Sequence, residues 1–138
     1  MKHIKIRELR KYDIDNGFSE VLKIISPHMA TSSSVYNMIR QLNTFVYVVE
    51  EYFPDRIVGT ATLILNYKFG GHLGLIEDVA ILPECEGLYY GTHLIKRILR
   101  EAKEMGCYKV ILLCKDNNVE FYEKIGMDKY QNCMCKKF

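Results

Sequence analysis

Hydrophobic and charged positions alternate at the start of the chain. Ile4 and Ile6 sit between charged neighbours from His3 to Leu9, which predicts a short strand with one buried face. The period then lengthens: Phe18, Val21, Leu22, Ile24 and Ile25 recur at helical spacing behind Asp13 and Asp15. Val35, Met38, Ile39 and Leu42 do the same behind the cap cluster Thr31-Ser32-Ser33-Ser34. Thr44 to Glu50 and Ile57 to Tyr67 are rich in β-branched and aromatic residues, with the turn Glu51-Tyr52-Phe53-Pro54-Asp55-Arg56 between them. They predict an antiparallel hairpin, with Gly59 marking a bulge. After Gly70-Gly71, His72 to Leu82 predicts a third long strand, interrupted by the adjacent acids Glu77 and Asp78.

From Gly87 to Met105, Leu88, Leu94, Ile95, Ile98, Leu99 and Ala102 share a face opposite a charged one, which predicts an amphipathic helix closed by Gly106. The apolar run Tyr108 to Cys114 predicts a strand buried on both faces and paired in parallel. Asp116-Asn117-Asn118 predicts the cap of a short helix, Val119 to Ile125, stopped by Gly126, and Met127 to Lys137 predicts a last strand. The order implies an α/β (α+β) fold, one mixed sheet with helices on both faces. No repeat or linker divides the 138 residues, so a single domain over 1–138 is expected.

Composition narrows the partners. Nineteen Lys+Arg against seventeen Asp+Glu leave +2, without a long basic block, so neither nucleic acid nor a membrane surface is expected as a partner. The opening segment alternates where a secretory signal needs a continuous apolar run, and a cytoplasmic location is expected. Cys85, Cys107, Cys114, Cys133 and Cys135 form no C-x-x-C pair and have no His at zinc spacing. They are expected to be reduced, small buried or half-buried hydrophobes, with no metal site.

Candidate chemistry gathers in three places. The turn Pro83-Glu84-Cys85-Glu86-Gly87-Leu88-Tyr89-Tyr90-Gly91-Thr92 joins a strand to a long helix, where unpaired backbone N–H groups suit a phosphate. It is neither a Walker A nor a dinucleotide loop, and its glycines could equally serve only to shape the turn. Glu77 and Asp78 are expected on opposite faces of the sheet, one available to a cationic amine and one held by backbone or hydroxyls; a structural ion pair is the alternative. Phe121 and Tyr122 read first as core aromatics. His3, His28, His72 and His93 form no arrangement with a nucleophile.

Taken together, I-E-D-V-A-I at Ile76 to Ile81, C-E-G-x-x-x-G at Cys85 to Gly91, G-C-Y-K-V-I-L at Gly106 to Leu112, N-V-E-F-Y-E-K-I-G at Asn118 to Gly126 and M-C-K-K-F at Met134 to Phe138 carry a resemblance. The chain resembles the glucosamine 6-phosphate N-acetyltransferase family of the GNAT acetyltransferase superfamily over essentially its whole length. The resemblance implies a splayed sheet that admits acetyl-CoA between the strand ending near Leu82 and the strand Tyr108 to Cys114. It implies that the amides of Glu86, Gly87, Leu88, Tyr89, Tyr90, Gly91 and Thr92 hold the pyrophosphate, and that Val79, Ile81 and Asn118 contact the pantetheine arm. Glu77 and Asp78 match the acidic pair that positions the amino sugar. Tyr122 matches the tyrosine that protonates the departing thiolate, and the Val79 amide matches the oxyanion donor. Lys137 matches a basic residue that reaches the sugar phosphate, often across a homodimer interface formed by the last strand. Ser26 and Asp116 stand near the remaining sugar contacts.

The chain departs from the family pattern at named places. Glu86 and Tyr89 stand where the superfamily turn usually has Arg or Gln, and Gly or Gln. Leu113 replaces an acid before Cys114, Leu75 replaces a His before I-E-D, and Ser26-Pro27-His28 matches the Thr-rich substrate loop only loosely. Two other readings stay open on these residues: an acetyltransferase for another primary amine, and a CoA-binding regulatory module without turnover.

Overall fold

The computed structural model describes residues 2–27 and 31–138; His28 lies outside the described residues. Five strands, β1 (Ile4–Glu8), β2 (Thr44–Glu51), β3 (Arg56–Lys68), β4 (Gly71–Ile81) and β5 (Cys107–Leu112), form one sheet in chain order. Neighbours are antiparallel except for β4 and β5, which run parallel as predicted. The helices are α1 (Phe18–Ile25), α2 (Ser32–Ile39), α3 (Tyr90–Glu104) and α4 (Val119–Ile125).

Alternation along β2 sorts the layers. Val46, with Thr60 and Thr62 of β3, faces Phe18 and Leu22 of α1 and Val35 and Met38 of α2. Phe45 and Tyr47 face Arg97, Glu101 and Met105 at the far end of α3. The helical spacing of Leu94, Ile95, Ile98 and Ala102 puts all four at zero exposure in the core, alongside Leu63, Ile57 and Val49. The capping box at α2 forms as its sequence predicts: Thr31 Oγ1 accepts from the Ser34 N–H at 3.2 Å, and the Thr31 N–H donates to Ser34 Oγ at 2.9 Å.

An ion pair fastens β1 to the 3-10 turn Lys11–Asp15 that follows it. Arg7 donates to both carboxylate oxygens of Asp13 at 2.8 Å and reaches Glu50 Oε2 at 3.2 Å, while the Arg10 N–H donates to Asp13 at 2.7 Å. Burial opposes ionisation of Asp13, but these donors together outweigh it and hold the carboxyl below its ordinary range.

Four expectations need correction. Met127–Phe138 forms no strand, because a strand exists only against a partner's backbone and this segment meets none. Its nearest tie is Lys109 Nζ to Tyr130 Oη at 2.7 Å. For the same reason β5 is an edge strand, half-buried where burial on both faces is expected. Leu88 is exposed, since the helix starts only at Tyr90. Of the cysteines, Cys85 is buried and Cys107 partly so, but Cys114, Cys133 and Cys135 are exposed beside the open edge or in the tail. No described helix is long and apolar enough to cross a membrane.

Candidate active site

The turn into α3 has the geometry of an anion cradle. Gly87 and Tyr89 both lie at positive φ, +79° and +64°. Alternating a left-handed residue with its neighbours points successive N–H groups the same way. Among the described residues, the backbone N–H groups of Gly87 through Thr92 find no acceptor, the first helix bond being His93 to Tyr89. The glycine at 91 has a packing reason: a Cβ there would stand 3.3 Å from Phe121 of α4 and 3.7 Å from Ile81 of β4. That close approach brings the turn, β4 and α4 to one place. Glu86 is exposed, caps the preceding 3-10 turn through its N–H, and makes no ion pair among the described residues.

Beside this turn the sheet opens. Pairing of β4 with β5 ends at Ile76 opposite Leu112, so Glu77 to Ile81 present a backbone edge with no strand on that side. On its other side β4 carries a bulge: Thr60 pairs with Ala80 but Thr62 with Glu77, leaving Asp78 and Val79 against Ala61 alone. Asp78 takes a left-handed φ of +54° to make it. The bulge breaks the strict alternation on which the expectation of opposite faces rests. Glu77 stands opposite Thr62, and Thr62 lines the same cavity as Asp78. The two carboxylates feel each other: burial pushes the Glu77 carboxyl up, and the charge on Asp78 adds to it.

That cavity, about 220 Å³, lies between α1, α2 and the sheet. Asp78, Ser26, Ser34, Thr60 and Thr62 supply its polar groups, and Phe18, Leu22, Val35 and Met38 much of its apolar wall. Ser26 and Asp78 thus line one cavity. The sequence pattern does not single out Thr60 and Thr62; their period of two along β3 is the signal that puts both hydroxyl-bearing residues on this buried face. On the other flank Tyr122 is buried, its ring edge-on to Phe121 at 4.9 Å between centroids. Burial, then the neighbouring Cys114, push up its hydroxyl, which is protonated at neutral pH even at its ordinary value of about 10. Asp116 and Asn118 lie exposed in the 3-10 turn before α4, where Asn118 makes no side-chain cap. Lys137 is exposed in the tail and joins no described cluster. No group of three or more potential metal ligands occurs among the described residues.

A strand edge that splays beside a helix N-terminus with unpaired amides is the frame of an acyl-CoA-dependent transferase, and the comparisons bear on it directly. The profile of the acetyltransferase (GNAT) family matches residues 15–127. A "glucosamine 6-phosphate N-acetyltransferase" of Arabidopsis thaliana is 32% identical over 97% of this chain and 96% of its own. A "probable glucosamine 6-phosphate N-acetyltransferase" of Drosophila melanogaster is 31% identical over 89% of this chain, which spans 60% of that longer protein. The crystal structure of glucosamine-6-phosphate N-acetyltransferase from Arabidopsis thaliana superposes with a TM-score of 0.90 at 31% identity, covering 99% of both chains. The chain therefore belongs to the GNAT acetyltransferases and, within them, to the glucosamine 6-phosphate N-acetyltransferase family.

Proposed function

We propose that this protein transfers acetyl from acetyl-CoA to the amine of D-glucosamine 6-phosphate, a step toward UDP-N-acetylglucosamine, by direct attack. The observation that carries the reading is the parting of β4 from β5 after Ile76, beside the unpaired amides at the start of α3. The amides of Gly87 to Thr92 take the pyrophosphate, the Glu86 N–H being already bonded to the Pro83 carbonyl at 3.2 Å, and Val79, Ile81 and Asn118 take the pantetheine arm along the open edge of β4. Glu77 and Asp78 position the amino sugar, with Ser26 and Asp116 as further contacts. Its amine resembles an α-amino group with a pKa of about 8, so a useful fraction is neutral without a strong base. Attack makes an oxyanion that the Val79 N–H stabilises, worth about 3 kcal/mol, while alignment of two substrates supplies roughly 7–11 kcal/mol. As the C–S bond breaks, Tyr122 passes its proton to the departing thiolate, and the proton that the attacking nitrogen sheds on becoming an amide restores the phenol by way of solvent. No acyl-enzyme is needed.

The protein works as a cytoplasmic homodimer in which the tail from Met127 supplies a strand to the bare outer edge of β5, leaving the Glu77–Ile81 edge to the pantetheine arm, and Lys137 meets the sugar phosphate. The exposure of Leu113, Met134 and Phe138 supports that reading. The test is thiol release from acetyl-CoA with glucosamine 6-phosphate, glucosamine and a panel of other amines as acceptors. Turnover is expected on the phosphosugar. Turnover confined to another amine would move the acceptor, and none on any amine would leave a binding module.

A further inference from the structure

Glu51, the last residue of β2, is 1% exposed and centres a polar cluster outside the reaction cleft. Its carboxylate accepts from Tyr90 Oη at 2.7 Å, Lys2 Nζ at 3.1 Å and Arg56 Nε at 3.4 Å, and the Cys85 thiol lies 4.0 Å away. Arg56 in turn reaches Glu84 Oε1 at 3.4 Å and Cys85 Sγ at 4.0 Å. Glu84 and Cys85 precede the run of unpaired amides, and Tyr90 lies within it. The cluster thus ties both sides of the turn's exposed loop to the β2–β3 hairpin. Burial works against the Glu51 charge, but the Tyr90 and Lys2 bonds and the Lys2 and Arg56 charges together keep its carboxyl below the ordinary range. Two acids, Glu51 and Glu84, are offset by two bases, Lys2 and Arg56.

We propose that Glu51 and Arg56 are positioning residues for acetyl-CoA: through Cys85, Glu84 and Tyr90 they hold the turn in the shape that aims its amides at an anion. The inference rests on the reading that this turn takes the pyrophosphate. A turn with no cation of its own binds through backbone dipoles alone, and such dipoles act only if they are already aligned. Exposed Gly87, Leu88 and Tyr89 have no side-chain anchors among the described residues, so the alignment comes from what brackets them. The charge balance lets a carboxylate serve beneath an anion site without repelling the ligand.

Two variants separate positioning from charge. Glu51→Gln removes a negative charge near the site, so simple electrostatics predicts tighter CoA binding; loss of positioning predicts weaker. Tyr90→Phe removes one hydrogen bond and no charge. Both variants are expected to raise the calorimetric Kd for CoA and the KM for acetyl-CoA about tenfold, the size of one lost charge-assisted bond. The KM for the acceptor is expected to move little. In ligand-free protein, amide hydrogen exchange over Glu86 to Thr92 is expected to speed up in both variants while β3 and β4 exchange as before. Tighter binding in Glu51→Gln, or exchange at wild-type rates in Tyr90→Phe, overturns the proposal; so does a fall in Tm with CoA affinity unchanged. If wild type fails to bind CoA while exchange responds as expected, the acetyl-CoA assignment falls and the positioning of the turn stands.

Discussion

Tyr122 is a core aromatic by pattern and the acid of the proposed reaction, and the two descriptions are compatible once its surroundings are known. The short helix α4 buries its ring against Phe121, and that burial pushes the pKa of a hydroxyl already neutral at pH 7 further up. A phenol held in the neutral form can donate to a thiolate at the instant it leaves. Tyr122→Phe keeps the ring and its packing but deletes the proton. We expect kcat to fall by about 10²–10⁴-fold, the usual contribution of a positioned general acid, with the Kd for acetyl-CoA nearly unchanged. Steady-state kinetics with a parallel binding titration decides it; turnover at the wild-type rate removes the role. Glu77 shows the reverse economy, since its neighbour Asp78 and its burial both resist its charge.

At the scale of elements, the ladder of strands and helices is legible because its periods are clean. The Thr31–Ser34 box starts α2, and Val119 to Ile125 is bounded as its flanks predict. The site is less legible because its geometry comes from broken periods. The bulge at Asp78 turns side chains that strict alternation would separate, and nothing in I-E-D-V-A-I announces a left-handed residue there. Glu51 reads as a turn residue, although its step of two from Tyr47 and Val49 puts it on the inner face. The partners that justify burying it, Tyr90 and Arg56, lie 39 and 5 residues away in the chain. Buried pairs of this kind also set the response to acid. Asp13 and Glu51 hold folded-state pKa values below their ordinary ones, so in the window beneath about pH 4 the unfolded chain binds protons first. Stability is therefore fully present above about pH 5 and is lost as pH falls through the depressed values. Glu77, with a raised value, contributes in the opposite sense and gains as it protonates. Thermal melts from pH 7 to pH 3 are expected to be flat and then fall. Asp13→Asn, which leaves the buried Arg7 with Glu50 as its remaining anionic partner, is expected to cost about 1.5–3 kcal/mol at neutral pH and to flatten the acid limb. An acid limb identical to wild type would show that other carboxylates govern it.

At the scale of the molecule, the sheet is closed on one side and open on the other. β1 is pinned by the Arg7–Asp13 pair and by Arg97, whose guanidinium donates to the Ile6 carbonyl at 3.0 Å. β5 has no such cover: Leu113 is 71% exposed, and the tail places Met134 at 90% and Phe138 at 112% exposure. A bare parallel edge beside an apolar, strand-like tail is a liability for a chain acting alone, and a second copy offering the same edge and tail resolves it twice over. In the proposed dimer, the strand periodicity of Met127 to Lys137 finds the backbone partner that the single chain does not supply. Light scattering is expected to give twice the 16.1 kDa of the chain. Removing residues 131–138 is expected to yield a monomer that still binds CoA through the α3 turn but has lost turnover on glucosamine 6-phosphate. Lys137→Ala in the full chain is expected to keep the dimer and the KM for acetyl-CoA, and to raise the KM for the phosphosugar about tenfold, consistent with one charge-assisted phosphate contact. A shortened chain that remains dimeric would sink the tail's role in assembly. A Lys137→Ala enzyme that treats glucosamine and its 6-phosphate as wild type does would leave the tail to assembly alone and send the search for the phosphate contact to the other lysines near the open edge, Lys109 and Lys115.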